Sequence, residues 1–191
     1  MITDDSEIPG LVNEINVRMR ELQDYVKDRN IKESRIEFPR GYLRSCEHHK
    51  KKYEFLQKPI IEKNISYTLL ATDVYRWLLN RTDIALSAQE MIVKQGLILI
   101  CSVVEVLVEE CSKGLHDRGK SFKQRLRTLS RHRQLDKKLA EELEWLWDVR
   151  NNIHLAVPKK PEHNKYAVKD YNRAIRGLTA IVEAFNGATE K

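Results

Sequence analysis

The stretch that decides the fold is Gly96-Leu97-Ile98-Leu99-Ile100-Cys101-Ser102-Val103-Val104-Glu105-Val106-Leu107. It belongs to the most apolar segment of the chain, which predicts a helix over about 88–113 that ends at Gly114. The uninterrupted apolar run closes at Glu105 and is far too short to span a bilayer. A helix that is apolar on several sides needs other helices, or another copy of the chain, to cover it.

Outward from this segment, apolar residues recur at steps of three and four along nearly the whole chain. No part of the sequence offers the sustained alternation with a period of two that is typical of strands. The pattern predicts helices over about 10–28, 39–56, 61–80 and 88–113, a short basic helix after Ser121, and helices over about 136–152 and 168–185. The chain is therefore predicted to be all-α.

Local capping signals mark several of these helix ends. Ser87 followed by Glu90, and Ser121 followed by Gln124, both have the form of a capping box. Asp136 suits the N-cap of the next helix, because its side chain can accept a bond from a free backbone N–H. These signals place three helix starts independently of the apolar pattern.

The irregular stretches at 29–38 and 80–87 are the best candidates for domain boundaries. We interpret residues 1–83 as an N-terminal helical region of unknown role and residues 84–191 as a C-terminal helical bundle. The N-terminal helices could also pack on the bundle instead of forming an independent domain. No internal repeat of solenoid length is present, which excludes a repeat array.

Composition narrows the class of protein. The N-terminus is acidic and lacks the pattern of a signal peptide, and three cysteines without CxxC spacing favour a reducing compartment. We therefore expect a cytoplasmic protein with no membrane partner. The sequence has no P-loop, no Gly-rich dinucleotide motif and no Ser/His/Asp arrangement, and it predicts no cofactor. Cys46-Glu47-His48-His49 carries metal-binding side chains but no partner cluster, so no metal site is predicted.

Basic residues are concentrated between 116 and 138, although the net charge of the chain is only +6. A basic surface is what a nucleic-acid partner requires, because neutralising phosphates supplies much of the binding free energy. A solvated helix face with no partner is the alternative. The residues predicted to bind RNA are Lys120, Lys123, Arg125, Arg127, Arg131 and Arg133.

A possible chemical site follows this basic segment. Arg150 and His154 are four residues apart at the end of a predicted helix, so both would lie on one face while the helix persists. An imidazole can move a proton near neutral pH, and a guanidinium can hold phosphate oxygens without losing its charge. The alternative is structural, because the helix dipole alone favours Arg and His at a C-terminus.

The C-terminal half, roughly 88–186, resembles the HEPN superfamily of small helical bundles, which includes many prokaryotic RNA-cleaving toxins and defence proteins. The apolar helix around Glu105 is similar to the first long helix of that family, and 121–135 is similar to its short polar connection. The segment 143–155 is similar to the helix that carries the family's Arg, polar residue and His. The resemblance implies an all-α, HEPN-like helical bundle with an additional N-terminal helical region.

By this resemblance, Arg150, Asn151 and His154 would be the catalytic residues of a metal-independent endoribonuclease in toxin–antitoxin or phage defence. RNA would be the substrate, and a cognate antitoxin is a possible partner. Three residues separate Arg150 from His154, which is shorter than the family's usual interval. The alternative is therefore a non-catalytic helical module for dimerisation, RNA binding or partner binding.

The family also tends to dimerise, and the helix at 88–113 is more apolar than a single bundle easily covers. We predict a two-fold homodimer through helix 88–113 or helix 136–152, because identical surfaces pair most simply about a two-fold axis. By family analogy, the active site would form where two subunits bring their Arg–His pairs together.

Overall fold

The computed structural model describes residues 2–37, 41–115, 121–132, 134–153 and 165–189. Its helices are α1 (Ile8–Val26), α2 (Cys46–Lys50), α3 (Pro59–Arg81), α4 (Leu86–Ser112), α5 (Phe122–Arg131), α6 (Lys137–Asn151) and α7 (Val168–Thr189). Short 3-10 turns occupy Asp5–Glu7, Lys32–Ser34 and Lys51–Tyr53. The described part of the chain contains no strand, so the all-α prediction is confirmed.

Helix α4 is the centre of the larger unit of the fold. It packs against α3, α5, α6 and α7, while α6 also packs against α5 and α7. Its core-facing side chains are almost completely buried, including Val93, Leu97, Ile100, Val104 and Leu107. Other apolar side chains of the helix are half-buried, and Leu86 at its start is exposed. Because α4 packs against four other helices of the same chain, much of its hydrophobicity is explained by the core of the bundle.

Helix α4 is also the one helix of the described residues that is long and apolar enough to cross a membrane. Length and composition are the only basis for that comparison, and 56% of its apolar window is buried inside the fold. The central helix of a bundle meets the same two criteria.

The chain divides into two compact units, Met1–Arg40 and Gly41–Lys191. This division falls earlier than the boundary at 83/84 that the irregular stretches indicated. The reason is that α3 packs against both α2 and α4, so it belongs to the unit that contains the bundle. Within the stretch 80–87, residues 82–85 form a short connection between α3 and α4, which pack against each other.

Two of the three capping predictions match the structure. Ser121 and Gln124 form a reciprocal capping box at the start of α5, and the Asp136 carboxylate accepts a bond from the backbone N–H of Leu139. The prediction for Ser87 was wrong, because α4 already begins at Leu86 and its N-cap is Ala85. A serine inside the first turn is no longer in the N-cap position.

The segment predicted as a helix over 39–56 contains only the short α2 and the turn at Lys51–Tyr53. Pro39, at the start of the predicted range, lies outside the described residues. The end of α4 agrees with the prediction: the helix stops at Ser112, and Gly114 adopts a φ of +85° that favours glycine.

Candidate functional site

The candidate site lies at the C-terminal end of α6, where three side chains form a continuous stack. The ring of Phe122 on α5 lies parallel to the ring of Trp147, with centroids 4.5 Å apart and an interplanar angle of 11°. The guanidinium carbon of Arg150 is 5.3 Å from the centroid of the Trp147 ring. A guanidinium over an aromatic face is attracted electrostatically and loses some of its freedom to move.

Asn151 adds a second contact to the same guanidinium. The Nη1 of Arg150 donates a hydrogen bond of 3.2 Å to Oδ1 of Asn151, and both side chains are half-buried. The structure therefore brings together two of the three predicted catalytic residues. The third, His154, lies outside the described residues.

Helix α6 ends before the position of His154. Asn152 forms the C-cap, and its side-chain amide donates a bond of 2.7 Å to the carbonyl oxygen of Asp148. Ile153 is already outside the helix. The expectation that a continuous helix places Arg150 and His154 on one face therefore does not apply, because the helical repeat stops at Asn151.

Helix α4 carries Cys101 and Glu105, and the charges of Glu105 and Arg150 both act on the Cys101 thiol. Burial and, to a smaller extent, the carboxylate of Glu105 raise the pKa of the Cys101 thiol to about 12, and the guanidinium of Arg150 opposes the shift. Glu105 and Arg150 therefore both lie within electrostatic range of the same thiol. At neutral pH Cys101 is a protonated core residue and not a nucleophile.

The basic face of α5 lies beside acidic residues of α6. Lys123 Nζ is 2.6 Å from Oδ2 of Asp148, and Arg127 Nε is 4.0 Å from Oε1 of Glu144. Arg125 is half-buried, and Arg131 is exposed at the end of the helix. Lys120 and Arg133 lie outside the described residues. The predicted RNA-binding residues of α5 thus share one helix, but two of them are partly neutralised within the protein.

A second polar cluster, centred on Asp73, was not predicted. The fully buried carboxylate of Asp73 accepts bonds from the Arg44 guanidinium, from the Arg44 backbone N–H at 3.1 Å, and pairs with Nε2 of His49 at 3.0 Å. Burial lowers the pKa of His49 despite this carboxylate. The cluster ties the segment around α2 to α3.

The sequence contained a signal for this cluster. Asp73 follows Ile65 and Leu69 at steps of four, so it lies on the buried face of α3. A carboxylate on such a face requires partners, because an unpaired buried charge is very costly. A cavity of about 290 Å³ adjoins the cluster, lined by the cationic Arg44 and Lys52 and by the acidic Glu183. Its mixed charge favours neither anions nor cations.

Comparison with known proteins adds no assignment: no family model, no curated protein and no solved structure matches the chain.

Proposed function

We propose that the chain is a HEPN-like, metal-independent endoribonuclease that acts in toxin–antitoxin or phage defence in the cytoplasm. The observation that carries this proposal is the fixed guanidinium of Arg150, held against Trp147 and bonded to Asn151 at the end of α6. A planar cation that is already oriented can bind a phosphate with a smaller loss of side-chain entropy than a mobile one.

In the proposed reaction, Arg150 binds the non-bridging oxygens of the scissile phosphate and stabilises the charge that develops there. Asn151 positions the guanidinium through its side-chain oxygen. His154 removes the proton from the ribose 2′-hydroxyl, whose oxygen attacks the phosphorus while the bond to the 5′-oxygen breaks. A protonated imidazole supplies the proton to that leaving oxygen, so the products carry a 2′,3′-cyclic phosphate and a 5′-hydroxyl.

The basic residues of α5 would hold the RNA beside this site. Their affinity would come mainly from neutralised phosphates and would therefore depend on salt. As in the family it resembles, the protein would act as a homodimer, and a cognate antitoxin would be its partner. Both remain proposals that rest on the resemblance.

A second candidate function is a non-catalytic helical module that binds RNA or a protein partner. Two observations favour it. The helix ends at Asn151, and Lys123 and Arg127 face acidic side chains of α6. In this reading the Arg150 stack stabilises the junction of α5 and α6.

The deciding experiment is cleavage of labelled single-stranded RNA by the purified full chain in the presence of EDTA. The wild type should produce 2′,3′-cyclic phosphate ends and should leave DNA of the same sequence intact, because DNA lacks the attacking hydroxyl. Arg150→Ala and His154→Ala should each lower the rate by about a hundredfold or more. Arg18→Ala and His48→Ala remove the same residue types elsewhere and should cleave at the wild-type rate.

Circular dichroism and thermal unfolding separate loss of chemistry from loss of fold. Arg150→Lys keeps the positive charge but not the planar guanidinium. Compared with Arg150→Ala, it should recover more of the stability than of the cleavage rate. A wild-type protein that binds RNA without cutting it would overturn the catalytic proposal and leave the binding module.

A further inference from the structure

Helix α1 exposes an unusual amount of apolar side chain. Most of the exposed large hydrophobic residues in the described parts of the chain belong to its first unit. On α1 they are Ile8, Leu11, Val12, Ile15, Val17, Met19, Leu22 and Tyr25. An isolated helix gains little stability from propensity alone, and helices in proteins are stabilised mainly by packing of an apolar face.

Six apolar residues of α1 follow a heptad pattern. They are separated by alternating steps of four and three residues. We call this set the α1 stripe, and it consists of Ile8, Val12, Ile15, Met19, Leu22 and Val26. Alternating steps of this kind average 3.5 residues, the period that keeps a narrow seam facing one partner helix in a left-handed coiled coil. Val12, Met19 and Val26 then occupy a positions, and Ile8, Ile15 and Leu22 occupy d positions.

We propose that α1 pairs with α1 of a second copy of this chain as a parallel, two-stranded coiled coil. A β-branched residue at a and a leucine at d favour two strands, and the exposed Val12 and Leu22 have this arrangement. Ile8 and Ile15 at d positions favour a larger number of strands, so the mass of the assembly is part of the test below. The surface is separate from α4 and α6, and it does not depend on the proposed action on RNA.

The charges that flank the stripe select the parallel orientation. In a parallel pair, the flanking residue Arg18 faces the amide of Gln23 from the partner helix, so no like charges meet. In an antiparallel pair whose register brings all six stripe residues into contact, Arg18 would face Arg18 of the other copy, so two like charges would meet. Arg18 forms an ion pair of 2.9 Å with Glu21 within the same helix, and both side chains are mostly exposed.

The exposed area suits a reversible dimer. The stripe residues from Ile8 to Leu22 are each 37–48% exposed, which corresponds to about 400 Å² of surface per copy; the total for two copies is below that of a standard specific interface and suits a weak, transient one. We therefore expect association in the micromolar range, with a dimer fraction that rises with protein concentration.

The test is the mass of the full chain by sedimentation velocity over a range of micromolar concentrations, without RNA. The wild type should shift from monomer to dimer as concentration rises. Ile15→Glu and Leu22→Glu each place a charge in the stripe and should raise the dissociation constant at least tenfold. Val17→Glu is the matched control: it makes the same type of change two residues from Ile15, on the opposite side of the helix, and should leave the dimer unchanged.

Orientation is tested with cysteines. Under mild oxidation, Ile15→Cys should crosslink to itself in a parallel pair, whereas Val17→Cys and the wild-type cysteines should not. A wild type that is monomeric at every concentration overturns the proposal. A dimer that survives Ile15→Glu and Leu22→Glu, or that Val17→Glu disrupts equally, also overturns it.

Discussion

Gly96 on α4 lies directly against the ring of Tyr171 on α7, so closely that a methyl group on its Cα would overlap with Cε2 of that ring. The ring is buried and held in place, because its hydroxyl donates a bond of 3.0 Å to the carbonyl oxygen of Thr72. The absence of a side chain at residue 96 therefore sets how near α4 and α7 can approach.

Gly96→Ala should lower the free energy of unfolding by about 1–3 kcal/mol, because overpacking forces the Tyr171 ring or a helix to move. This loss should exceed the gain of about 1 kcal/mol that alanine usually brings to a helix interior. Denaturant unfolding measures the difference. Gly177→Ala is the control: its methyl group would meet Leu143 Cδ2 at an ordinary 3.6 Å, and it should stabilise the protein. Equal effects of the two changes would contradict the packing argument.

The second prediction concerns acid sensitivity of the Asp73 cluster. Burial lowers the pKa of His49 below 6.5. Burial alone would raise the pKa of Asp73, but hydrogen bonds from Arg44 and His49 hold it below 3.8. Both groups therefore bind protons more readily in the unfolded chain, and acidification favours unfolding.

The contribution of His49 to the free energy of unfolding is fully present above pH 6.5. It should be lost as the pH falls from 6.5 towards the pKa of His49 in the folded protein. The contribution of Asp73 should be lost in the same way below pH 3.8. Urea unfolding at a series of pH values measures both steps. His49→Asn should remove the upper step, whereas His48→Asn, at the exposed neighbouring position, should retain it. A stability that is constant from pH 7 to pH 5 would rule out the role of His49.

The third prediction concerns RNA affinity. If α5 contacts RNA, Asp148→Asn should strengthen binding, because it releases Lys123 from its carboxylate partner. A plot of the logarithm of affinity against the logarithm of salt concentration should become steeper by about one, the amount expected for one additional phosphate contact. Glu21→Gln is the control, because it releases Arg18 in the same way but on α1. Fluorescence anisotropy with labelled single-stranded RNA measures both variants.

Charge reversal gives the opposite test of α5. Arg125→Glu and Arg127→Glu should each weaken RNA binding and reduce its dependence on salt. Binding that responds to neither substitution, and that Asp148→Asn leaves unchanged, would show that the basic residues of α5 are only a solvated face.

The fourth prediction concerns the stack that positions Arg150. Trp147→Leu should reduce RNA cleavage by about tenfold, because the guanidinium loses the aromatic face that orients it. Trp147→Phe keeps an aromatic ring between Phe122 and Arg150 and should recover most of that activity. Thermal unfolding of both variants provides the control for stability. Cleavage that follows stability alone, without rescue by phenylalanine, would make the stack structural.

Local chemistry predicted most of the helices. The apolar period placed α1, α3, α4, α6 and α7 within a few residues of their ends. Ser121 and Asp136 could be predicted as N-caps because the cap is a local interaction. In each, the side-chain oxygen accepts a hydrogen bond from the backbone N–H three residues later. Ser87 has the same local pattern and failed, because the start of α4 at Leu86 places it inside the helix.

What the sequence by itself determined is therefore the all-α class, the approximate helices and the position of Arg150 near a helix end. Only the tertiary structure decided that four helices of the same chain pack against α4, that Lys123 meets Asp148, and that Asp73 is satisfied by Arg44 and His49. Helix periodicity and capping arise from residues within a turn of one another, so they can be read along the chain. Partners on different helices depend on how those helices pack, and no local spacing contains that information.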